Sequence, residues 1–417
     1  MKVLHISTSD RNGGAAIAAF RLNKAMSDNG IRSNLLVINK ATEENNIISA
    51  FGRIDKMIHY IFCRVSLILK KKLLGMSYTF SLGIGGRDIS KKKIVKEADI
   101  IYIHWINNDF LSIKGLNYIL SLNKPVVFFM HDMWLITGGC HYSFECQNYQ
   151  NLCRRCPNIQ RTAFKNMVSM VFNKKHTLLV ENKNMFIVTP SVWLSNCVNK
   201  SSLFQTHKTE IIPNLLDTHV FKPMNQLEVR KKMNLPLDKK LLLFGADGGY
   251  SNPYKGWKYL LDALAKLKLE DLEIVVFGSK LDSVSIQQIP YQVHSMGCLR
   301  DENTLALLYN AVDVFVTPSL ADNFPNTILE SLSCGTPVVG FNVGGIPDLI
   351  KHQKTGYLAK YRDSQDLAQG MEWCLMHSQD ETFLAEIRSF VVKNFSAQVV
   401  LEKHLRLFNE ILNINGV

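Results

Sequence analysis

The residues with the clearest chemical potential lie in the stretch ADNFPNTILESLSCGTPVVG, residues 321–340, which places two acids, Asp322 and Glu330, eight positions apart. Pro325 fits the first turn of a helix, where its missing N–H costs nothing, and Asn323 is a candidate cap. Carboxylates accept hydrogen bonds from polyol hydroxyls, and the free N–H groups of a helix start suit a phosphate. The pattern indicates a nucleotide-sugar site; the alternative is a capped surface helix with an incidental glutamate.

Three further motifs follow short apolar runs. STSDRNGG contains Gly13 and Gly14, which let the backbone approach a ligand closely, although an ordinary tight turn has the same composition. PVVFFMHD ends at His131, which could orient a sugar hydroxyl or be a structural histidine. In GYSNPYKGWKY, Lys255 is either a cation for phosphate or a solvated turn lysine.

Four cysteines form a cluster directly after the His131 run. GGCHYSFECQNYQNLCRRCP spaces Cys140, Cys146, Cys153 and Cys156 as C-x5-C-x6-C-x2-C. Four thiolates at such spacing can close a tetrahedral zinc site, and the C-x2-C half is a common metal knuckle. The alternatives are loop cysteines, reduced or in disulfides, and an iron–sulfur site. Because no D-x-D motif stands at a strand end, any metal here is expected to be structural.

Composition sets the class of the molecule. A chain of 417 residues exceeds what one core usually covers, so we expect two domains. With 47% hydrophobic and 20% charged residues, the chain is expected to be globular. The net charge of +12 favours anionic partners. Among the possible anionic partners, nucleic acid has the least support from the sequence, because the basic residues are dispersed and no recognisable nucleic-acid-binding motif is present.

Two series of short, apolar, β-rich runs alternate with segments of helical length. The first comprises KVLHIS, SNLLVIN, DIIYIHW, PVVFFMHD and MFIVTPS, and the second comprises KLLLFGAD, LEIVVFGS, VHSMGCL, VDVFVTPS and TPVVGFN. Such runs predict buried parallel sheets, hence two tandem doubly wound α/β domains. We place the domains at residues 1–216 and 217–396, with a C-terminal helix of about 397–417 able to pack back on the first. Ligands of such sheets bind at the carboxyl ends of the strands, so we expect the domains to share a cleft.

The segment MIHYIFCRVSLILKKKLLGM, residues 57–76, is the one candidate for membrane contact. Its apolar part is shorter than the roughly 20 residues of a spanning helix. It is expected to be either a buried helix with a lysine-rich end or a helix lying on an anionic membrane face. Because the N-terminus MKVLHIST has no signal-peptide pattern, we expect a cytoplasmic protein.

The segment SLADNFPNTILESLSCGTPVVGFNVGGIPDLI resembles the donor-binding segment of the family 4 retaining glycosyltransferases of GT-B fold. Other segments resemble the same family in the same order, over nearly the whole chain. The resemblance implies two Rossmann-like domains facing across a cleft, with Asp322 contacting the donor sugar and Glu330 holding the ribose. The sequence departs from the family pattern at Asp322 and at Asp348, where glutamate is more common.

The same resemblance implies roles for the other motifs. Lys255 reaches the diphosphate, and Gly249 stands where family members often carry an arginine. Backbone atoms from Gly297 to Leu299 meet the nucleobase, and His131 lies beside the donor sugar. The expected donor-binding residues are therefore Gly13, Gly14, Lys255, Leu299, Asp322, Asn323, Phe324, Pro325, Asn326 and Glu330, of which Lys255 and Asp322, together with His131, are the expected catalytic residues.

The resemblance thus implies an enzyme that moves a hexose-type sugar from a nucleoside diphosphate to an acceptor hydroxyl, without a cofactor for catalysis and with retention of configuration. The acceptor is expected to be a glycan or lipid-linked glycan in lipopolysaccharide O-antigen, capsule or exopolysaccharide synthesis, at the inner face of the cytoplasmic membrane. Other hypotheses are a two-domain epimerase or phosphorylase acting on sugar nucleotides, and a catalytically silent sugar-nucleotide-binding protein.

Overall fold

The computed structural model describes residues 1–74, 79–160, 164–204, 207–246, 252–278 and 286–414. Contacts divide the chain into two compact units. The first unit consists of Met1–Pro213 and the chain from Leu401 onwards, and the second consists of Asn214–Val400. Each unit is built on its own parallel sheet.

The sheet of the first unit has seven strands in the described residues, in the order β3-β2-β1-β4-β5-β6-β7. All neighbouring strands pair in parallel. The strands are β1 Lys2–Ser9, β2 Arg32–Asn39, β3 Ile47–Ser49, β4 Ile100–Ile103, β5 Val126–Phe129, β6 Met185–Thr189 and β7 Thr209–Ile211. The helices are α1 Gly14–Asp28, α2 Arg53–Leu74, α3 Lys93–Glu97, α4 Ile113–Leu120, α5 Met167–Glu181 and α6 Val192–Lys200.

The sheet of the second unit has six strands in the part of the chain described, in the order β10-β9-β8-β11-β12-β13. The strands are β8 Lys240–Ala246, β9 Leu272–Gly278, β10 Val293–Gly297, β11 Val314–Thr317, β12 Val338–Phe341 and β13 Gly356–Ala359. The helices are α7 Gln226–Met233, α8 Trp257–Leu264, α9 Glu302–Ala311, α10 Asn326–Ser333, α11 Ile346–Leu349, α12 Ser364–His377 and α13 Glu381–Phe395. The last helix, α14 (Ala397–Ile414), starts in the second unit and continues into the first.

The central strands are buried on both faces, which explains their continuous apolar sequences. Every residue of β4, β5, β11 and β12 is buried. Parallel strands covered by helices on both sides require this composition. The prediction of two Rossmann-like α/β units is therefore confirmed.

The strand order reverses once in each sheet. In the first unit the reversal falls between β1 and β4, and in the second it falls between β8 and β11. Loops leave the carboxyl ends of these two strands on opposite sides, which opens a crevice where open α/β sheets bind ligands. The loops after β1 and β4, and those after β8 and β11, are therefore the places to look for a site.

Helix α2 corrects one expectation, because it is not the buried helix proposed as an alternative from the sequence. Nine of its large apolar side chains are exposed: Ile54, Met57, Ile58, Tyr60, Ile61, Phe62, Val65, Leu67 and Ile68. The side chains of Lys70, Lys71 and Lys72 lie outside the described set. No helix in the described ranges is long and apolar enough to cross a membrane.

Candidate functional site

An ion pair occupies the reversal point of the second sheet. Lys255 lies in the turn before α8, and Asp322 lies in the loop between β11 and α10. The Lys255 Nζ is 3.0 Å from Asp322 Oδ2, with 25% and 14% of the two side chains exposed. The structure therefore brings together two of the residues that the sequence predicted for the donor site, on loops that leave adjacent parallel strands.

Backbone contacts hold the Lys255 turn against the loop after β11. Gly256 has a φ of +65°, and a Cβ at this position would lie 1.9 Å from the carbonyl oxygen of Pro318. The N–H of Leu320 donates to the Tyr254 carbonyl at 2.6 Å. Only glycine permits both the positive φ and the close approach at residue 256. The position of the Lys255 cation therefore depends on the residue that follows it.

The loop between β12 and α11 closes against Asp322 in a similar way. The Gly345 N–H donates to the backbone oxygen of Asp322 at 3.1 Å. Gly344 has a φ of +58°, and a Cβ there would come within 2.0 Å of the same oxygen. The GGIPD motif thus fixes the backbone that carries the Asp322 carboxylate.

The N-cap of helix α10 lies two residues after Asn323, the cap that the sequence suggested, so that prediction is wrong. Pro325 is the N-cap and Asn326 the first helical residue, with no side-chain hydrogen bond from the cap. The Asn214 Nδ2 group donates to the Phe324 carbonyl at 3.2 Å and to Asn326 Oδ1 at 3.0 Å. Asn323, Phe324 and Asn326 are all buried, at 2%, 6% and 7% exposure. This loop is therefore packed into the unit before the helix begins.

Glu330 is buried one turn into α10. Its exposure is 3%, and the Tyr309 hydroxyl of α9 donates to Glu330 Oε2 at 3.1 Å. A buried carboxylate requires hydrogen-bond partners, and this phenol is one of them. Glu330 is thus not the incidental surface charge considered as an alternative.

The remaining residues of the predicted donor site in the second unit lie near the end of β10. Gly297 has a φ of +65° with open space where a Cβ would be, and it follows an irregularity in the pairing with β9. Leu299 is half-buried and packs against the core. Gly249 lies outside the described residues.

In the first unit, Gly13 and Gly14 form the exposed start of α1, with Gly13 as N-cap at φ +93° and no side-chain cap. The preceding residues hold the loop in place. Ser9 Oγ accepts hydrogen bonds from the N–H groups of Arg11 and Asn12 at 3.2 and 3.1 Å. Asp10 is fully buried and accepts from the N–H of Ala41 at 2.9 Å, among other donors in the loop after β2. Asp10 was not identified from the sequence.

His131 follows β5, and its ring belongs to a row of histidines. The Nε2 of His131 is 3.0 Å from Nδ1 of His104, whose Nε2 is 2.9 Å from Nδ1 of His5. Burial lowers the pKa of His131 to about 4, although the neighbouring Asp132 opposes the shift. Burial also lowers the pKa of His5 to about 3 and that of His104 well below its ordinary value. All three rings are therefore neutral at physiological pH.

Asp132 organises the loop that follows His131. Its carboxylate accepts from Trp105 Nε1 at 2.9 Å, from His141 Nδ1 at 2.6 Å and from the Trp134 N–H at 2.8 Å. Burial would raise the pKa of Asp132, but His141 and these hydrogen bonds leave it lowered. His141 Nε2 lies 3.0 Å from Ser81 Oγ, so both of its ring nitrogens have protein partners.

The four clustered cysteines surround one small cavity of about 20 Å³, whose lining includes Cys140, Cys146, Cys153 and Cys156. All four are free thiols. A hydrogen bond links Cys140 and Cys156, and it is the main reason why the pKa of Cys156 falls to about 7 and that of Cys140 rises. Burial raises the pKa of Cys153 to about 11 and also raises that of Cys146.

Each sulfur atom of this cysteine cluster accepts at least one hydrogen bond. Cys153 Sγ accepts from the Gly138 N–H at 3.3 Å, and Cys140 Sγ lies 4.0 Å from Asn158 Nδ2. Cys156 accepts from the backbone N–H groups of Asn158 and Ile159, and Cys146 from that of Asn148. Within the described residues, no group of three or more His, Cys, Asp or Glu side chains has the geometry to hold a metal ion.

Lys175 of α5 is a fully buried amine beside this cluster. Its Nζ donates to the carbonyls of Trp134 and Thr137, the latter at 2.9 Å, and lies 3.8 Å from the centroid of the Trp134 ring. Burial lowers the pKa of Lys175 to about 7, while Cys153, Asp132 and Cys140 oppose the shift. Lys175 was not identified from the sequence, because it stands in an ordinary amphipathic helix.

Comparison with known proteins identifies the second unit most clearly. Residues 239–377 match the family model described as Glycosyl transferases group 1. The N-acetyl-alpha-D-glucosaminyl L-malate synthase of Bacillus anthracis is 22% identical over 52% of this chain and 59% of its own length. The chain therefore spans less than two thirds of that relative.

Two other similarities extend over more of the chain. The putative colanic acid biosynthesis glycosyl transferase WcaC of Escherichia coli K12 is 21% identical over 76% of both proteins. The crystal structure of Anabaena Alr3699/HepE in complex with UDP and glucose superposes with a TM-score of 0.65 at 17% identity, covering 98% of this chain and 99% of that one. At this identity the structural likeness establishes the fold, which is GT-B.

The contact between Gly256 and Pro318 generates a stability prediction. Gly256→Ala should lower the free energy of unfolding by about 2–5 kcal/mol, since the positive φ costs about 1–2 kcal/mol and the collision with the Pro318 carbonyl adds about 1–3 kcal/mol. Gly297→Ala is the matched control, because Gly297 has the same φ of +65° but open space at the Cβ position. Denaturant unfolding of both variants measures the difference. Equal losses would show that the backbone contact contributes nothing.

Proposed function

Because residues 239–377 form a Glycosyl transferases group 1 domain, we propose that the protein is a retaining glycosyltransferase that moves a hexose-type sugar from a nucleoside diphosphate to an acceptor hydroxyl. The observation that carries the proposal is the Lys255–Asp322 pair at the strand-order reversal of the second sheet. This is where a doubly wound sheet binds its ligand, and the pair combines a cation for phosphate with a carboxylate for hydroxyls.

In this proposal Lys255 binds the diphosphate of the donor. The charge of Lys255 is balanced by Asp322, whose Oδ2 lies 3.0 Å from the Lys255 Nζ. A bound diphosphate competes for the ammonium group, and Asp322 is then available to accept hydrogen bonds from the sugar. Lys255 and the N–H groups at the start of α10 stabilise the charge that develops on the leaving phosphate, so the chemical step requires no cofactor.

We assign to Glu330 the ribose of the nucleotide. Its carboxylate is held by the Tyr309 hydroxyl at one oxygen, which restricts its orientation. A pre-oriented carboxylate can accept hydrogen bonds from two vicinal hydroxyls with little loss of side-chain freedom. Leu299 and the backbone around Gly297 contact the nucleobase, and the exposed turn at Gly13 and Gly14 contacts the diphosphate.

The proposed reaction proceeds on one face of the sugar. The leaving phosphate takes the proton of the acceptor hydroxyl as the new glycosidic bond forms, so no side chain acts as a nucleophile. His131 contacts the transferred sugar. Support for a nucleotide-sugar donor comes from the HepE crystal structure, which contains UDP and glucose.

The Lys255 assignment predicts a specific loss of turnover. Lys255→Ala should reduce kcat by about 100–1000-fold, because the charge that stabilises the leaving diphosphate is removed. Donor hydrolysis and transfer are measured against a panel of nucleotide sugars, and proton NMR of the product reports the anomeric configuration. Lys258→Ala, at an exposed position three residues away in α8, is the control and should leave turnover unchanged. Undiminished turnover in Lys255→Ala would refute the assignment.

The Glu330 assignment predicts that the Glu330→Ala variant loses the rise in thermal stability that the nucleotide-sugar donor induces in the unmodified protein.

We further propose that α2 contacts an anionic membrane, where a lipid-linked glycan acceptor would be presented. Ile54, Ile58, Ile61 and Val65 recur at helical spacing and are 49–73% exposed. Lys70, Lys71 and Lys72 follow in sequence, and basic residues beside an apolar helix face favour anionic lipid. The similarity to WcaC, whose name refers to colanic acid biosynthesis, supports a polysaccharide product.

Vesicle binding tests this surface. Ile61→Asp should weaken binding to vesicles of phosphatidylglycerol and phosphatidylcholine by about tenfold, because a buried charge replaces an apolar contact. Replacing Lys70, Lys71 and Lys72 by glutamine should remove the salt dependence of the binding. Met376→Asp is the control, since Met376 is an exposed apolar residue of α12, with 72% exposure. Equal binding by Ile61→Asp and the unmodified chain would exclude α2 as the contact.

Finally, we propose that the cysteine cluster holds a structural zinc ion. Four sulfurs line one cavity and each accepts hydrogen bonds. Cys153 and Cys140 favour the ammonium form of the buried Lys175, which can then offset the negative charge that four thiolates and one zinc ion carry together. Binding requires the four side chains to draw closer around the ion than they are in the described geometry. A zinc ion at this site would stabilise the conformation of the loop that follows His131.

Metal analysis decides this proposal. Protein purified without chelators should contain about one zinc per chain. Cys153→Ser should lose the metal and lower the thermal stability, while Cys298→Ser, at an exposed cysteine outside the cluster, should retain both. Protein without zinc or iron, with four readily titratable thiols in the native state, would contradict it.

A further inference from the structure

Three histidines from neighbouring strands form a continuous hydrogen-bonded row on one face of the first sheet. His5 lies in β1 and pairs in register with Tyr102 of β4, while His104 directly follows β4 and His131 comes two residues after the end of β5. The contacts are His5 Nδ1 to His104 Nε2 at 2.9 Å, and His104 Nδ1 to His131 Nε2 at 3.0 Å. The rings of His104 and His131 are stacked, with centroids 5.3 Å apart.

Neutral imidazoles in such a row cannot choose their tautomers independently. Each neutral ring carries one N–H and one bare nitrogen, and each contact requires one of each. If His5 is protonated on Nδ1, then His104 and His131 must also be protonated on Nδ1. If instead His131 is protonated on Nε2, all three protons lie on Nε2. Only these two arrangements satisfy both contacts.

The buried end of the row selects between them. His5 is 0% exposed, and its Nε2 has no hydrogen-bond partner among the described residues. With the protons on Nε2, this atom would be a buried N–H without an acceptor, and orphaned buried N–H groups are rare in folded proteins. With the protons on Nδ1, it is a bare nitrogen, and an unpaired acceptor is more readily tolerated.

We infer that His5 and His104 are positioning residues that hold His131 in the Nδ1-protonated tautomer. The His131 nitrogen outside the row is then an N–H donor. This inference rests on the proposed function for its consequence: His131 would donate to an oxygen of the donor sugar, and a ligand group that can only donate would be disfavoured there. The tautomer itself does not depend on that function.

The test is long-range nitrogen–proton NMR of the full chain labelled with ¹⁵N-histidine, which distinguishes Nδ1–H from Nε2–H rings. The signals of His131 are assigned by their loss in His131→Gln. Two histidines of the second unit serve as internal references. His377 donates from Nδ1 to the Trp373 carbonyl at 2.8 Å, and His352 Nδ1 accepts from the Leu358 N–H at 3.2 Å, which leaves the His352 proton on Nε2. His131 should show the pattern of His377, and the pattern of His352 would overturn the inference.

Two substitutions at His104 distinguish a role in positioning His131 from a role in packing alone. His104→Leu removes the donor to His131 and should shift the His131 proton towards Nε2, whereas the side-chain amide of His104→Asn can still donate and should keep it on Nδ1. With a donor found active, kcat/KM should fall about tenfold in His104→Leu and recover in His104→Asn. An Nδ1–H signal that persists in His104→Leu would refute the role of His104. If His131 shows an Nδ1–H signal but the protein turns over none of the nucleotide sugars, the proposed function is refuted and the tautomer inference stands.

Discussion

The reversal of strand order in each parallel sheet is the constraint on which the rest of the structure depends. Where β8 lies beside β11, the chain leaves the two strands towards opposite sides, so the loops that follow them are not covered by a crossover helix. Lys255 and Asp322 belong to these loops and can approach to 3.0 Å although they are far apart in sequence. Glycines at 256 and 344 allow the backbones of these loops to pack closely.

Burial determines the chemistry of the polar groups in the first unit. His5, His104, Lys175 and Asp10 lie where charge is costly, so each has either a shifted pKa or several hydrogen-bond partners. The ionised form of the Asp132 side chain remains favourable because three hydrogen-bond donors contact its carboxylate. Such groups make the loops after β1, β4 and β5 specific in geometry, since displacing any one of them leaves another unsatisfied.

Much of the fold could be predicted because its determinants are local. Runs such as DIIYIHW and VDVFVTPS are apolar throughout, and only strands covered on both faces need that composition. The acid pair, Lys255 and the cysteine spacing were visible for the same reason, as each lies in a short motif. The histidine row was not visible: His5, His104 and His131 stand in three different runs, and only the strand order β1-β4-β5 makes them neighbours. The exposure of the apolar face of α2 could not be predicted from the sequence either, because an amphipathic pattern does not indicate whether another element packs against that face.

The sequence by itself determined the fold class, the positions of the strands and the residue types of the candidate site, since these follow from composition and spacing over a few residues. The tertiary structure alone decided that Lys255 pairs with Asp322, that Glu330 is buried against Tyr309, and that Lys175 lies beside the thiols of Cys140 and Cys153. Each of these depends on distances between segments remote in sequence. Such distances are set by strand pairing and helix packing, for which no short stretch of sequence carries the information.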